Sequence, residues 1–273
     1  MNEMSLHEIK ACSMSLLENL NQFCKKQNLQ YFLCGGTLLG AVRHQGFIPW
    51  DDDIDIMMPR KDYERLFEIW PQNTHIKALY HKNTHNFPYA FGKIVDDRTL
   101  KRESIRKKFQ KIGVDIDIFP IDNIPDDDNE ASLFFDNIAK YQYKIDRLMV
   151  TYGKTRNVQT AIGNLKTFII RSLEVVGLWT MDKSIAQLSE YATLYNNKET
   201  SSCGITAISH YGINERNKRS AFESSVNVIF EGQEYPAPVG YKTYLSQLYG
   251  DNYMQLPPQD KQMTHHSYKA YWK

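Results

Sequence analysis

Apolar residues recur along the first part of the chain with periods that predict alternating helices and strands. Between Ser5 and Gln27 they fall on one face of a helix. Leu29–Cys34 then has the make-up of a short strand, and a tight turn at Gly35 and Gly36 leads into a helix over Thr37–His44, with Thr37 at or near its cap. The pattern predicts helix, strand, turn and helix in succession.

Alternation with a period of two marks the strands that follow. Asp53–Met58 alternates in this way, and Pro59 is expected to stop the strand before a helix over Lys61–Trp70. Three further short strands are predicted at Ile76–Tyr80, Tyr89–Val95 and Gly113–Phe119. The last of these alternates apolar and acidic residues without a slip.

A polar, acidic loop over Asp122–Asn129 introduces about seventy residues with helical periodicity. The helices expected there are Glu130–Thr151, Val158–Val176 and Asp182–Asn196. Strand-like sequence returns at Val226–Phe230, and a helix near Tyr241–Tyr249 precedes a tail that contains Pro257 and Pro258. We therefore predict an α/β (α+β) fold, with a mixed-sheet core over residues 1–124, a helical lobe over 125–202 and a C-terminal segment, 203–273, that returns to the core.

Composition and charge exclude several classes of function. The 273 residues carry a formal net charge of +1, which gives no general attraction to nucleic acid. The four cysteines lack the spacing of a zinc site or of a disulfide framework, so we expect reduced thiols in a cytoplasmic protein. The sequence shows neither an export signal nor an apolar run long enough to span a bilayer.

Two pairs of aspartates carry the candidate chemistry. On a strand, Asp53 and Asp55 point to the same face, as do Asp115 and Asp117 further along. Carboxylates presented in this way can bind a divalent cation such as Mg²⁺, which phosphoryl transfer requires to neutralise charge. An aspartate triplet such as 51–53 is most often a solvated loop, but the apolar residues around Asp53 and Asp55 favour a metal site. A structural ion pair is the alternative for these two residues, and the alternation cannot choose between Asp115 and Asp117.

The segment Tyr31–Pro59, YFLCGGTLLGAVRHQGFIPWDDDIDIMMP, resembles the signature of the LicD family of phosphocholine transferases. That family belongs to the nucleotidyltransferase-fold superfamily and is related to the fukutin-type phosphosugar transferases. The resemblance continues in FGKIVDDRT (91–99), VDIDIFPID (114–122) and the C-terminal YGD (249–251) and YMQLPP (253–258). It implies a nucleotidyltransferase-like core, and the helical stretch 129–202 is its least diagnostic part.

The resemblance also implies roles for individual residues. Gly35 and Gly36, with the helix that starts near Thr37, would bind the donor phosphates, while Asp53 and Asp55 would hold Mg²⁺ together with Asp117 or, second, Asp115. The candidates to neutralise the phosphates are Lys93, Arg43 and His44, and His265 is expected either to close over the donor or to lie in a flexible tail.

The implied reaction moves phosphocholine from CDP-choline to a sugar hydroxyl of a cell-surface glycan precursor, of the teichoic acid or lipopolysaccharide type, and releases CMP. Aromatic residues would hold the choline, and Trp50 and Tyr89 lie near the motifs, although core packing is the commoner role for such residues. The amphipathic stretch Leu165–Val176 would suit peripheral membrane contact for a lipid-linked acceptor, against the alternative of a packed lobe helix. Transfer of another phospho-substituent or a nucleotidyl group, or an inactive glycan- or nucleotide-binding homologue, are the remaining alternatives.

Overall fold

A computed structural model describes residues 1–103, 112–149, 168–170, 172–263 and 268–273 of the chain. The described residues include the α-helices α1 (Leu6–Gln27), α2 (Gly35–His44), α3 (Arg60–Ile69), α4 (Asp128–Met149), α5 (Met181–Ala192) and α6 (Tyr241–Tyr249). The strands are β1 (Asn2–Glu3), β2 (Phe32–Leu33), β3 (Asp55–Pro59), β4 (Ile76–Leu79), β5 (Gly92–Asp96), β6 (Thr99–Glu103), β7 (Asp115–Ile124), β8 (Ser202–Ile205), β9 (Asn217–Lys218), β10 (Ser225–Phe230), β11 (Gln233–Pro238) and β12 (Tyr268–Trp272). The predicted mixed α/β fold is confirmed.

The central sheet has seven strands and is mixed in direction. Its main path runs in the order β2-β3-β7-β5-β4, and β8 and β9 extend it from the far end of β7. The pairing of β3 with β7 is parallel, and the other pairs are antiparallel. Because β8 pairs with β7, the chain returns to the core sheet after the helical region.

Two smaller sheets complete the strand architecture. The terminal strands β1 and β12 join β6 in the order β1-β12-β6, and β10 pairs with β11 as an antiparallel hairpin. Helix α1 contributes a buried face to the core of the protein, as the amphipathic spacing predicts, and it begins with a capping box between Ser5 and Glu8.

Several predicted boundaries differ from those observed. Helix α2 begins at Gly35 after an extended Cys34, so the two glycines form its first turn and Thr37 lies inside it. The strand predicted from Asp53 begins two residues later, at Asp55, and Pro59 is its last residue. Strand β7 extends five residues beyond the predicted end at Phe119. The sequence did not predict β6 or β12, because neither shows clean alternation.

The helix predicted over Val158–Val176 lies largely outside the described residues, although residues 168–170 and 172–175 are helical. All four cysteines are free and buried, which agrees with the expected reduced thiols. Among the described helices, none combines the length and the apolar character that crossing a bilayer requires.

Candidate active site

The first turn of α2 lies against aspartate carboxylates, and its two glycines make this approach possible. Gly35 has a φ of +52°, a conformation that glycine adopts without strain. A Cβ atom at Gly35 would lie 3.4 Å from Asp55 Oδ2, and one at Gly36 would lie 2.9 Å from Asp51 Oδ2. Two carboxylates therefore face the N-terminal end of a helix, where the helix dipole is positive.

The parallel pairing of β3 with β7 brings two of the predicted carboxylates together. In this register Asp55 is the partner of Asp117. The backbone N–H of Asp55 donates a 2.8 Å hydrogen bond to Oγ1 of Thr37. Thr37 therefore fixes the start of the strand to α2 instead of capping the helix. Of the two candidates on β7, Asp117 is the one beside Asp55.

Burial and the crowding of negative charges raise the pKa values of Asp55 and Asp117. Burial is the main cause that raises the pKa of Asp55 well above its usual range, and the charges of Asp53, Asp117 and Asp51 raise it further. Burial likewise raises the pKa of Asp117, although Lys93 opposes the shift. Carboxylates forced together in this way favour a bound cation, so the donor set fits a hard divalent ion.

The acidic triplet joins this cluster and is not simply a solvated loop. One carboxylate oxygen from each of Asp51, Asp52 and Asp53 lies within 4.8 Å of the others, and no other such group of metal-binding side chains occurs in the part of the chain that the structure describes. Of these three residues, the sequence predicted only Asp53 as a metal ligand. The structure places Asp51 and Asp52 close enough to share a cation with it.

Lys93 lies buried between two aspartates of β7. Its Nζ is 2.6 Å from Asp115 Oδ2, and it also forms an ion pair with Asp117. Asp115 has a second partner in Lys101. Burial by itself would raise the pKa of Asp115, but Lys101 and Lys93 outweigh it and lower that pKa to about 2. Lys93 is therefore part of the site, and Asp115 is held as an anion by two lysines.

Arg43 and His44 lie at the opposite end of α2 from the carboxylates. The guanidinium of Arg43 donates to the backbone carbonyls of Tyr253, at 2.9 Å, and Gln255, at 3.1 Å. Its Nε donates to Nε2 of His44 at 2.9 Å. These contacts tie α2 to the C-terminal segment, and phosphate binding by either residue stays a prediction. His265 lies outside the described residues.

A cavity of about 430 Å³ opens onto Asp53, Asp115 and Asp117, and we call it the carboxylate cavity; Asp55 is not among the residues that line it. The residues that line it include Asp53, Asp115, Asp117, Lys93, Lys101, Tyr89, Phe91, Gln142, Asp146, Met149, Ser209, His210 and Tyr268. Tyr89 is thus in the wall, with the Lys93 ammonium 4.6 Å from its ring centre. Trp50 packs near His44 and is not in this wall. The carboxylates and helix α4 therefore contribute to the same cavity.

Lys101 and Tyr268 are among the residues of this wall that were not predicted from the sequence. Lys101 lies on β6 and Tyr268 on β12, and the Tyr268 hydroxyl hydrogen-bonds to Asp52. No motif marks either residue, because both reach the site through strand pairing between distant parts of the chain.

Comparison with known proteins agrees with this geometry. The family described as "LicD/FKTN/FKRP, nucleotidyltransferase domain" matches residues 28–148, which include all the aspartates described above. The chain is 31% identical over 278 aligned residues to "Lipopolysaccharide cholinephosphotransferase LicD" of Haemophilus influenzae, and the alignment covers 99% of both proteins.

Two shorter matches are to uncharacterized proteins of Rickettsia. The protein from Rickettsia typhi is 41% identical over 86 residues, 31% of this chain and 27% of its own length. The one from Rickettsia prowazekii is 47% identical over 64 residues, 23% of this chain and 24% of its own length. These matches are local, whereas the Haemophilus protein matches from end to end. The chain belongs to the LicD family of transferases.

Proposed function

We propose that this protein transfers phosphocholine from CDP-choline to a sugar hydroxyl of a cell-surface glycan precursor and releases CMP. The observation that carries the proposal is the position of Asp55, which lies against Gly35 at the start of α2, is the strand partner of Asp117, and is close enough to Asp53 for that charge to raise its pKa. The end-to-end similarity to a lipopolysaccharide cholinephosphotransferase supports this choice of transferred group. A lipid-linked acceptor of the lipopolysaccharide or teichoic acid type, met in the cytoplasm at the membrane surface, is the acceptor that we expect.

Asp53, Asp55 and Asp117 would hold Mg²⁺, with Asp51 and Asp52 close by. When bound, the ion would neutralise the charge of the diphosphate and polarise the phosphorus that is attacked. The crowded carboxylates support this assignment, because a cation relieves their mutual repulsion. Asp117 is preferred to Asp115 because both lysines hold Asp115.

The protein's own groups account for the remaining steps. The first turn of α2 presents the positive end of its dipole toward the phosphates. Lys93, which lies next to Asp117, would pair with a phosphate oxygen of the donor. The acceptor oxygen forms a bond to the choline-bearing phosphorus, the bond from that phosphorus to CMP breaks, and a carboxylate of the cluster takes the hydroxyl proton.

The test is CMP release from CDP-choline in the presence of Mg²⁺ and candidate glycan acceptors. We expect release that depends on the acceptor and falls at least about a hundredfold in Asp53→Asn, because a ligand to the cation is lost. Asp97→Asn is the matched control, since Asp97 is an exposed aspartate of the same core. Pyrophosphate release from a nucleoside triphosphate would instead indicate nucleotidyl transfer, and an inactive protein that binds the donor would contradict the proposal.

A further inference from the structure

Lys101 is a buried cation in the wall of the carboxylate cavity. Its side chain is 17% exposed, and it forms an ion pair with Asp115, whose side chain is 3% exposed. The Lys101 ammonium also lies 4.4 Å from the centre of the Tyr268 ring. A lysine held in this way has lost most of its hydration, so its position depends on these two partners.

The ion pairs form a continuous row of alternating charge along the wall. Lys101 contacts Asp115, Asp115 contacts Lys93, and Lys93 contacts Asp117. Asp117 is in turn the strand partner of Asp55. If Lys101 were absent, Lys93 would be the one ion-pair partner left to Asp115 among the described residues, and it would be drawn away from Asp117.

We propose that Lys101 is a positioning residue of the metal centre. By holding Asp115, it keeps that carboxylate out of the coordination of the cation and keeps Lys93 beside Asp117. The inference rests on the proposed function for the presence of a metal, but it does not depend on which group is transferred.

The neighbouring residue Arg102 provides a matched comparison. It follows Lys101 on β6, points to the opposite face of the strand, and lies 5.2 Å from the ring centre of another tyrosine, Tyr271. Lys101 and Arg102 therefore share their strand, their charge and a contact with a tyrosine of β12. Of these two residues, only Lys101 contacts Asp115 and lines the carboxylate cavity.

The experiment measures Mn²⁺ binding by electron paramagnetic resonance together with CMP release, in Lys101→Met and Arg102→Met. In Lys101→Met we expect Mn²⁺ to bind about tenfold more tightly, because a nearby positive charge is removed and Asp115 keeps only one of its two lysine partners. CMP release should fall about tenfold, because Lys93 shifts toward Asp115. Arg102→Met should change neither quantity more than about twofold, and Lys101→Arg should restore both.

Weaker Mn²⁺ binding in Lys101→Met, or no change in either quantity, would overturn the proposal. If that variant does not fold, the double variant Lys101→Met/Asp115→Asn removes the ion pair as a unit and tests the same point. It should bind Mn²⁺ within about threefold of the original protein, because Asp115 can no longer act as a charged ligand, and a tenfold gain would contradict the inference. A wild-type protein that binds Mn²⁺ but releases no CMP from CDP-choline would refute the proposed donor and leave the Mn²⁺ comparison intact.

Discussion

At Gly36 the backbone of α2 closely approaches the carboxylate of Asp51. A Cβ at this position would lie 2.9 Å from Asp51 Oδ2, which is closer than side-chain carbons normally come to another atom. The obstacle is the end of a side chain, so Asp51 can move aside. Glycine is therefore needed at this position to leave room for the Asp51 carboxylate, and not for the formation of the helix.

The substitution Gly36→Ala should lower the activity of the protein while leaving its stability nearly unchanged. Alanine favours helix, so the free energy of unfolding should stay within about 1 kcal/mol of the original value, as measured by urea unfolding. CMP release and Mn²⁺ affinity should fall about threefold to tenfold because Asp51 is displaced. In an Asp51→Ala background the same change should have no further effect on either. A Gly36→Ala protein that is as active as the original would contradict this role.

Glu215 is a buried acid outside the carboxylate cavity. It is 1% exposed, and its Oε2 has no hydrogen-bond partner among the described residues. Burial raises its pKa to about 8, although a hydrogen bond from the backbone of Ile205 opposes the shift. The folded protein therefore keeps this carboxyl protonated at a pH where the unfolded chain releases the proton.

The stability of the protein should consequently depend on pH through Glu215. Its contribution is fully present below the unfolded pKa, near 4.5, and is lost as the pH rises through 8. Between pH 6 and pH 8 the original protein should lose about 2 kcal/mol more unfolding free energy than Glu215→Gln, in which the neutral amide cannot ionise. Denaturant unfolding at both pH values measures the difference, and parallel losses in the two proteins would refute it.

At the scale of elements, the sequence predicted those whose pattern is local. The apolar residues on one face predicted α1, and the strict alternation of apolar and acidic residues predicted the part of β7 that carries Asp115 and Asp117. It did not predict β6 and β12, because their pairing joins residues about 170 positions apart and leaves no local signal.

The same distinction explains what was predicted of the candidate site. The alternation predicted that Asp53 and Asp55 share a face of one strand, but Asp53 lies before the start of β3. The register of β3 with β7 supplies the choice of Asp117 beside Asp55 that alternation could not make. Lys101 and Tyr268 were not predicted because their position depends on the pairing of β6 with β12. Residue chemistry was therefore predictable, while contacts across strands required the structure.

At the scale of the whole molecule, Asp122 connects three regions. Its fully buried carboxylate accepts two hydrogen bonds from Arg60, at 2.7 and 2.5 Å. It also accepts one from Asn196, just after α5, and one from Thr206, just after β8, both at 2.7 Å. One side chain of β7 thus joins α3, the helical region and the returning C-terminal segment.

Asp122→Asn should destabilise the protein as a whole. The amide cannot accept all four bonds, and Arg60 is left buried without its full counter-charge, at a cost of about 3 kcal/mol in unfolding free energy. Asp126→Asn is the control, because Asp126 is exposed and its carboxylate bonds to Ser201 and Ser202 at the surface, so its loss should cost less than about 1 kcal/mol. Equal losses in the two variants, measured by urea unfolding, would contradict the connecting role.

The parallel pairing of Asp55 with Asp117 has a consequence for how the protein is made. The two residues are far apart in sequence. Parallel strands can pair only after the connecting segment has returned the chain to the same end of the sheet. During synthesis, an N-terminal portion that ends before β7 carries the DDDID motif without its strand partner. A ribosome-bound fragment of that length would therefore hold half of the acidic centre, and any cation that binds the complete centre would act as a late stabiliser of the finished protein, without guiding the first steps of folding.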